Sequence, residues 1–524
     1  MTPAAILVAG RWQPAAVADT FQALDPRSGA PHPTLWPVSA WSDADAALKA
    51  AGEAAAALRQ VSGAALARFL ECYAGRLEAR SAELVAVAQA ETGLPLHPRL
   101  VESELPRMLT QLRQAAAAAR EGSWRTAVID SQHNIRSLAV GLGPVVVLPP
   151  ANFPLAYGAV TGGDFAAAIA AGNPVIAKAH PGHPGVSRLA AEEALVALAA
   201  TGLPAATVQL LHGLAPADGE RLVADRRVGA TGFTGSPEVG RRLHLAAAAT
   251  GRVIWLEMGS INPVVLLPGA LAERAAQLAT ELAASVTGSA GQLCTKPGLI
   301  FFIDDAQAAN SAGAFVNALA GHLRAVGMQV LLGITGRERL VAAVAGLQRA
   351  GARLHVGGAV GSGPCEYAAT LLEVTAADVL AAPEQLLREA FGNATLLVRA
   401  RNLEELASVL EAVPGALVAG LHSTPDEAAV ASRFAAILLE RSGRLVENRM
   451  TTGMTLSPAM QHGGPWPAAS PPFYSAVGLP LSILRFARRV CYDGASQAIL
   501  PEALRDAPPE GSPWRQFDGQ WRRA

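Results

Sequence analysis

The chain has 524 residues, of which 51% are hydrophobic and 16% charged, and its formal net charge at pH 7 is -1. This length exceeds what one hydrophobic core usually supports, so we expect at least two domains, and the composition favours a packed α/β enzyme over a disordered or fibrous protein. The near-neutral charge argues against a nucleic-acid partner, because such binding depends on a strongly basic surface.

The four cysteines, Cys72, Cys294, Cys365 and Cys491, lie far apart in the sequence. Their spacing is that of neither a metal site nor a redox pair, so we expect no bound metal and a reducing, cytoplasmic location. The amino terminus lacks the basic and apolar regions of a signal peptide. Prolines interrupt the longest uncharged stretch, residues 137–163, so we expect no membrane span and no membrane partner.

The first part of the chain reads as short strands and turns followed by alanine-rich helices. Apolar residues recur there at helical spacing, with arginines on the opposite face. The predicted helices cover residues 43–60, 63–79, 81–91 and 101–120.

From residue 144 onward, short apolar runs alternate with helices, which is typical of a parallel, doubly wound sheet. The predicted strands are 144–148, 174–177, 207–211, 229–233 and 253–256, and the predicted helices are 155–171, 184–200, 217–224 and 237–249. Ligands of such sheets gather outside the carboxyl ends of the strands. Asn152, Lys178, Gly235 and Glu257 each follow a predicted strand, so we expect them at one edge of the sheet.

A second alternating unit begins after residue 261, contains Cys294 and a strand at 299–303, and continues to about residue 447. Beyond it, the apolar run at residues 481–486 predicts a strand that pairs with a partner subunit.

Cys294 is the most informative residue of this second unit. It lies in a polar, glycine-bounded turn, at residues 291–298, after a helix of small residues at 281–290. An accessible thiolate in such a turn can act as a nucleophile, whereas a lone cysteine is otherwise most often a buried structural residue. Glu257 follows an apolar strand, an unusual place for a charge, and the pair indicates covalent catalysis followed by base-assisted hydrolysis.

Five motifs, in this order, resemble those of the NAD(P)-dependent aldehyde dehydrogenases. They are Asn152-Phe153-Pro154, Phe233-Thr234-Gly235-Ser236, Glu257-Met258-Gly259-Ser260, Gly291-Gln292-Leu293-Cys294 and Glu389-Ala390-Phe391-Gly392. The resemblance covers nearly the whole chain. It implies an α/β fold with two doubly wound, Rossmann-like parallel-sheet domains and a small β oligomerisation element.

The resemblance also implies a division of the chain. Residues 1–125 and 142–261 would form the nucleotide-binding domain, and 262–447 the catalytic domain with the nucleophile. Residues 126–141 and 480–500 would supply oligomerisation strands, and 501–524 a carboxyl-terminal tail. The tail strand favours a homodimer or a homotetramer.

A narrower likeness points to one branch of the family. Glu257–Pro263, Cys294–Gly298 and His462–Pro465 are similar to the 2-oxoglutarate semialdehyde (2,5-dioxopentanoate) dehydrogenases and the NADP-dependent fatty aldehyde dehydrogenases. The first of these aldehydes is the expected substrate, and a medium- or long-chain fatty aldehyde is the alternative. A CoA-acylating enzyme would not need Glu257, and a catalytically silent homologue would not need Asn152, Glu257 and Cys294 together.

The resemblance assigns a role to each catalytic residue. Cys294 would form a thiohemiacetal with the aldehyde and then, after hydride transfer to the nicotinamide, a thioester. The side-chain amide of Asn152 and the backbone N–H of Cys294 would stabilise the oxyanion. Glu257 would activate the water that hydrolyses the thioester. The structural alternatives are a turn residue for Asn152 and a buried ion pair for Glu257.

The expected pyrophosphate site lacks the usual glycine fingerprint, as it does in aldehyde dehydrogenases. Gly235 and Ser236 instead open a helix at Pro237, with Gly240 one turn in, and the free N–H groups there suit a pyrophosphate. Lys178 would hold a ribose hydroxyl.

The remaining cofactor residues bear on the choice of nucleotide. Glu389 would bind the nicotinamide ribose, and Phe391 would lie behind the ring. NAD-preferring relatives often carry a glutamate three positions after the Lys178 equivalent, but here Pro181 stands there, preceded by His180. Without a carboxylate to repel a 2′-phosphate we predict NADP as the cofactor, with NAD possible.

Departures from the branch concern the substrate side. Leu105 stands where the branch usually has a second arginine. Residues 450–453 lack the proline that is usual before the Thr-Gly pair, and Asn393 stands where a proline usually follows Phe391-Gly392. A lost arginine would favour a more apolar aldehyde. His462 has two open readings, as a residue of the substrate entrance or as a loop histidine satisfied by backbone.

Overall fold

A computed structural model describes residues 1–304, 309–508 and 511–523 of the chain. Strands and helices alternate through most of it, as predicted for an α/β protein. The strands are β1 (Ile6–Val8), β2 (Arg11–Gln13), β3 (Val17–Phe21), β4 (Trp36–Ser39), β5 (Ala127–Asp130), β6 (Ile135–Gly141), β7 (Val145–Leu148), β8 (Val175–Lys178), β9 (Val208–Leu211), β10 (Gly213–Leu214), β11 (Ala230–Thr234), β12 (Val253–Glu257), β13 (Pro263–Leu266), β14 (Leu299–Ile303), β15 (Met328–Val330), β16 (Arg353–Val356), β17 (Glu366–Ala368), β18 (Thr370–Thr375), β19 (Ala394–Ala400), β20 (Ala419–His422), β21 (Leu445–Glu447), β22 (Ala469–Ser470), β23 (Ala487–Asp493), β24 (Arg515–Phe517) and β25 (Gln520–Arg522).

The helices lie between and beside these strands. They are α1 (Trp41–Leu58), α2 (Gly63–Ala79), α3 (Ser81–Thr92), α4 (Leu105–Glu121), α5 (Gly163–Ala170), α6 (Pro184–Thr201), α7 (Pro216–Ala224), α8 (Pro237–Ala249), α9 (Pro268–Thr287), α10 (Ala309–Val326), α11 (Ile334–Arg349), α12 (Ala376–Ala381), α13 (Pro383–Leu386), α14 (Leu403–Ala412) and α15 (Ala428–Arg441). Among the described residues, no helix combines the length and the apolar composition needed to cross a bilayer.

The first large sheet has the strand order β2-β1-β9-β8-β7-β11-β12-β22. Strands β9, β8, β7, β11 and β12 are parallel, and their order reverses between β7 and β11. Such a reversal opens a crevice at the carboxyl ends of the strands, where ligands of doubly wound sheets bind. The strands are buried on both faces because helices cover each side.

The second large sheet has the order β16-β18-β19-β14-β13-β20-β21, and all of its strands except β16 are parallel. Its two faces are covered by separate clusters of buried apolar side chains. Two doubly wound parallel sheets were predicted, and that prediction of fold class is confirmed.

A third sheet has the order β23-β6-β5-β24-β25 and combines strands from residues 127–141 with strands from residues 487–522. The strand predicted at 481–486 is wrong, because Leu481–Phe486 forms a 3₁₀ helix and the strand is β23 immediately after it. Arg485 explains the difference, since its guanidinium reaches Asp164 and the carbonyl oxygen of Ser482 and holds the segment in a tight turn.

Most predicted helices agree with the structure to within a few residues, but the one at 155–171 is shorter and begins at Gly163. The preceding residues form turns whose backbone groups bond to side chains instead. Glu104 accepts the N–H groups of Leu155 and Ala156, and the hydroxyl of Thr161 donates to the carbonyl of Leu155. Tertiary partners therefore replace the helical bonds there.

Candidate active site

The candidate site lies where the two large sheets meet. Glu257 ends β12 of the first sheet, and six residues later Pro263 begins β13 of the second. Cys294 precedes β14, the neighbour of β13. The carboxyl edge of the first sheet therefore faces the amino edge of the second, with the thiol between them.

The backbone before Cys294 has an uncommon conformation. Ser289, Ala290 and Gly291 all have positive φ angles, of 52°, 54° and 68°. A Cβ on Gly291 would lie 2.2 Å from the carbonyl oxygen of Gly392, so only glycine fits this contact. The predicted helix at 281–290 ends at Thr287 for this reason, and a tight left-handed turn presents the thiol.

Asn262, which the sequence analysis did not single out, fixes the thiol loop to the link between the sheets. Its side-chain amide donates to the carbonyl oxygens of Cys294 at 2.8 Å and Lys296 at 2.9 Å. Its own oxygen accepts from the hydroxyl of Ser260 at 2.7 Å. The loop that carries the nucleophile is thus tied to the segment that follows Glu257.

His462 lies between the two predicted catalytic groups. Its Nε2 is 3.2 Å from the Sγ of Cys294 and 3.0 Å from Oε1 of Glu257. The ring is 1% exposed, and its backbone N–H donates to the hydroxyl of Ser475. Of the two readings of this histidine, the loop residue satisfied by backbone is therefore wrong for the imidazole, which contacts the thiol directly.

The charges around His462 favour its protonated form. Burial alone would lower the pKa of the imidazole, but Glu257 and Cys294 outweigh this effect and raise it to about 10. An imidazolium next to a thiol favours the anionic, nucleophilic sulfur. The ligand atoms of these three residues lie within 4.8 Å of one another and match metal-binding donor types, and the absence of a resident metal stays a prediction.

A small cavity of about 10 Å³ borders Glu257, His462 and Tyr474. This volume is close to that of one water molecule. Oε2 of Glu257 is buried and has no hydrogen-bond partner in the structure. The carboxylate therefore has a free acceptor atom beside a space of the size that a single water needs.

Asn152 follows β7 and approaches the thiol loop, as its position after a strand predicts. Its Nδ2 donates to the carbonyl oxygen of Gln292 at 2.9 Å, two residues before Cys294. The side chain is 8% exposed. The amide is thus close enough to the thiol loop to donate to an oxygen bound at Cys294.

A buried ion pair, also missed from the sequence, holds the segment of Asn152 in place. Arg99 donates to the carbonyl oxygen of Asn152 at 2.6 Å and pairs with Glu104 at 3.0 Å. The Arg99 guanidinium also lies 4.1 Å from the ring centroid of Phe153. Both residues belong to a π-helix, Leu96–Glu104, which periodicity in the sequence does not reveal.

The predicted nucleotide residues Ser236 and Glu389 line one cleft of about 820 Å³. Oε1 of Glu389 is buried without a partner, and burial raises the pKa of this carboxyl to about 7, although Lys296 and the N–H of Ser260 act in the opposite direction. An unpaired buried carboxylate fits a role as acceptor for ligand hydroxyl groups. Arg339 and Arg388 line the same cleft and were missed from the sequence.

The glycines at the start of α8 allow neighbouring side chains of the protein to pack closely against the backbone. A Cβ on Gly235 would lie 2.6 Å from the ring of Phe233, and one on Gly240 would lie 2.6 Å from the sulfur of Met258. Ser236 caps the helix by accepting the N–H of Val239. Pro237 has no N–H and Gly240 donates to the carbonyl of Ser236, so the N–H of Glu238 is the one left in this turn for a dinucleotide phosphate.

Lys178 ends β8, one strand away from Asn152 in the sheet. Burial lowers the pKa of its ammonium to about 8, and no hydrogen bond or ion pair to it is recorded among the described residues. The Nδ1 of His180 accepts the N–H of Gly182, so the neutral ring carries its proton on Nε2 as a donor. These two donors fit the hydroxyl or phosphate groups of a nucleotide ribose.

Three other residues occupy clear structural positions. Phe391 is 37% exposed next to the Glu389 cleft. Asn393 is buried and donates to the carbonyl of Tyr367, which gives this departure a structural reason. Leu105 packs against the core beneath α4, so its apolar side chain is part of the fold.

The sequence comparisons agree with this geometry. A family model described as "Aldehyde dehydrogenase family" matches residues 12–465. Alpha-ketoglutaric semialdehyde dehydrogenase 2 of Azospirillum brasilense is 39% identical over 520 residues, covering 96% of both chains. Alpha-ketoglutaric semialdehyde dehydrogenase of Acinetobacter baylyi is 32% identical over 509 residues, covering 94% of both.

Solved structures show the same fold at low identity. A 1-pyrroline-5-carboxylate dehydrogenase from Thermus with bound NAD superposes with a TM-score of 0.80 at 20% identity, covering 94% of this chain and 92% of the other. Lactaldehyde dehydrogenase from Escherichia coli gives a TM-score of 0.80 at 20% identity, covering 94% and 99%.

Proposed function

This chain belongs to the aldehyde dehydrogenase family, and on that premise we propose that it oxidises α-ketoglutaric semialdehyde to the dicarboxylic acid. The relatives of that name match almost the full chain, which supports the substrate. The observation that carries the mechanism is the contact of Cys294 and Glu257 with the single Nε2 of His462.

The first step is attack by sulfur. Cys294 reacts as the thiolate, whose negative charge the imidazolium of His462 stabilises, and Glu257 in turn stabilises that imidazolium by its own charge. The Sγ lone pair then forms a bond to the aldehyde carbon, and the carbonyl π electrons move to oxygen. The product is a thiohemiacetal anion on Cys294.

The negative oxygen needs donors that are in place before the reaction. The Nδ2 of Asn152 and the backbone N–H of Cys294 supply them. Asn152 exchanges its bond with the carbonyl of Gln292 for one with the substrate. The loss of one such donor typically costs about 3 kcal/mol of transition-state stabilisation.

The cofactor residues fit a dinucleotide on the observations given above. Glu389 would accept from ribose hydroxyl groups, the start of α8 at Ser236 would bind a phosphate, and Lys178 with His180 would hold the second ribose. A bound nicotinamide would supply the acceptor for a hydride, and loss of that hydride from the thiohemiacetal anion would leave a thioester on Cys294.

Hydrolysis completes the cycle. Glu257 takes a proton from water through its unpartnered Oε2, and the water oxygen attacks the thioester carbon. The C–S bond breaks, the thiolate of Cys294 returns, and the carboxylic acid leaves. The cavity that Glu257 and His462 border has space for this water beside the carboxylate.

Three finer assignments are part of the proposal. NADP is preferred because Pro181 replaces the carboxylate that would repel a 2′-phosphate. Residues 1–125 and 142–261 bind the nucleotide, and 262–447 carry the nucleophile. Strands β5, β6 and β23 support a homodimer or a homotetramer, because β23 leaves one edge of its sheet unpaired in the described chain.

The test is turnover of α-ketoglutaric semialdehyde with NADP or NAD, followed by the absorbance of the reduced nicotinamide. Cys294→Ala should abolish oxidation. Glu257→Gln should lower kcat about 100-fold or more, because hydrolysis needs the base. One equivalent of reduced cofactor should still form in the first turnover, at a rate lowered much less than kcat, because attack by sulfur loses only the charge that stabilises the His462 imidazolium.

The matched control is Cys491→Ala, which removes an exposed thiol far along the chain and should leave the rate unchanged. Oxidation that survives Cys294→Ala would refute the mechanism.

A further inference from the structure

Two arginines from distant parts of the chain meet on one loop beside the catalytic thiol. Arg107 on α4 donates through both Nη atoms to the carbonyl oxygen of Met454, at 3.1 and 2.9 Å. Arg444, just before β21, donates to the carbonyl oxygens of Gly453 at 3.2 Å and Thr451 at 2.8 Å. Both guanidinium groups thus donate hydrogen bonds to backbone carbonyl oxygens of residues 451–454.

An apolar cluster connects this loop with the catalytic groups. Met454 and Phe153 pack against a buried apolar cluster that includes Tyr157. The Tyr157 ring centroid is 6.4 Å from that of His462 and 5.2 Å from that of Phe153. Apolar side chains that suit a short carbon chain therefore lie between His462 and the loop that the arginines bind.

The charges of the two arginines are not balanced by the protein. Neither forms an ion pair with an acid in the ranges that the structure describes. Glu104, whose charge interacts with that of Arg107, already pairs with Arg99 and accepts two backbone N–H groups. Within the described part of the chain, the oxygen atoms bonded to both guanidinium groups belong to neutral carbonyls.

Unpartnered donors lie in the same place. The Nε atoms of Arg107 and Arg444 and the hydroxyl of Tyr157 are buried without hydrogen-bond partners. Buried donors without acceptors are costly, and an anion is a much better acceptor for a guanidinium than a carbonyl oxygen. The arginines are each half-buried, so an anion can approach them from the open side.

We propose that Arg107, Arg444 and the hydroxyl of Tyr157 bind a carboxylate at the far end of the substrate, so that this enzyme selects ω-oxo carboxylates over neutral aldehydes. The carboxylate displaces the carbonyls of Gly453 and Met454, and the loop 451–454 moves aside to admit it. The inference rests on the proposed function, because it takes Cys294 as the group that attacks the aldehyde end. Arg107 and Arg444 would thus select acids over neutral aldehydes, although Leu105 stands where the branch usually has an arginine.

The test compares 5-oxopentanoate with its methyl ester, which has the same chain without the charge. Wild-type enzyme should show a kcat/KM about 10- to 100-fold higher for the acid. Tyr157→Phe and Arg107→Met should each lower kcat/KM for the acid about 10-fold or more, mainly through KM, and change that of the ester less than about 3-fold.

Arg113→Met is the matched control, because Arg113 lies on the same helix but pairs with Glu78 at the surface. It should change neither substrate. Equal oxidation of acid and ester by the wild-type enzyme, or an equal loss for both in the variants, would overturn the proposal.

A second measurement needs neither turnover nor a folded variant. Glutarate should slow the alkylation of Cys294 by iodoacetamide in the wild-type enzyme, and dimethyl glutarate should not. Protection by both compounds, or by neither, would contradict the carboxylate site. If glutarate protects but no aldehyde is oxidised, the proposed function fails and the anion site stands.

Discussion

One nitrogen atom in this enzyme faces both the proposed nucleophile and the proposed base. Nε2 of His462 carries a single proton, which lies between a sulfur at 3.2 Å and a carboxylate oxygen at 3.0 Å. The Nδ1 of the same ring is buried without a partner. The position of one proton therefore couples activation of the thiol to the charge of Glu257.

Replacement of His462 by Asn tests this coupling. Alkylation of Cys294 by iodoacetamide near neutral pH should slow about 10-fold or more, because the cation beside the sulfur is lost. The variant should also lose stability in a pH-dependent way. Since the folded-state pKa of His462 is raised from 6.5 to about 10, its pairing stabilises the fold fully below pH 6.5, and this stabilisation disappears as the pH rises toward 10.

The measurement is the difference in Tm between the wild-type enzyme and the variant across this pH range. The difference should be largest below pH 6.5 and smallest near pH 10. A difference that grows with pH would mean that His462 is neutral in the folded protein.

At the scale of elements, the π-helix Leu96–Glu104 acts on the catalytic site through the turn that follows β7. Arg99 bonds to the carbonyl of Asn152, and Glu104 bonds to the N–H groups of Leu155 and Ala156. Both ends of the segment that carries the oxyanion donor are thus held by one ion pair. Removal of either charge would leave the other buried and uncompensated.

Glu104→Gln preserves the shape of the side chain and removes its charge. We expect kcat/KM to fall about 10-fold or more with little change in KM, because Asn152 is displaced from the developing oxyanion. Alkylation of Cys294, which needs no oxyanion donor, should proceed at the wild-type rate. An equal loss of oxidation and alkylation would indicate a general structural defect instead.

The sequence predicted elements well where local patterns decide them. The parallel strands and most helices follow from apolar periodicity and strand ends, which act over a few residues. The failures at 155–162 and 481–486 occur where Glu104 and Asp164, distant in sequence, supply the hydrogen-bond partners. A pattern read along the chain cannot contain partners that only the fold brings close.

The same reason explains which site residues were found. Cys294, Glu257 and Asn152 stand out by motif and by position after strands, and the structure brings them together. Asn262 and Arg99 act through backbone carbonyls that are remote in sequence. The sequence carries no signal of such contacts, because any residue can supply a carbonyl.

At the scale of the whole molecule, the proposed cofactor site is built from both large sheets. Ser236 starts a helix of the first unit, and Glu389 belongs to the second, and both line the cleft of about 820 Å³. A ligand that contacts both units stabilises the folded state by mass action, by about 2.7 kcal/mol at a concentration 100 times its Kd.

Thermal unfolding of Cys294→Ala with each nucleotide tests the preference for NADP. At equal concentrations, NADP should raise Tm by more than NAD does. Pro181→Glu should reduce the shift caused by NADP through repulsion of the 2′-phosphate and leave the shift with NAD nearly unchanged, while Pro181→Gln serves as the uncharged control. A larger shift with NAD in the wild-type protein would contradict the assignment.

Gly291 packs so tightly against the carbonyl of Gly392 that no side chain fits between the two loops. The loop that carries Cys294 and the loop that follows Glu389 are therefore held in fixed positions relative to each other. A change that moves Glu389, the residue proposed to bind the nicotinamide ribose, should therefore also move the Sγ atom of Cys294. Substitutions near Glu389 that are meant to change cofactor preference should therefore alter both the catalytic rate and the affinity for the cofactor. Substitutions near Lys178 and His180 should change the affinity without moving the thiol.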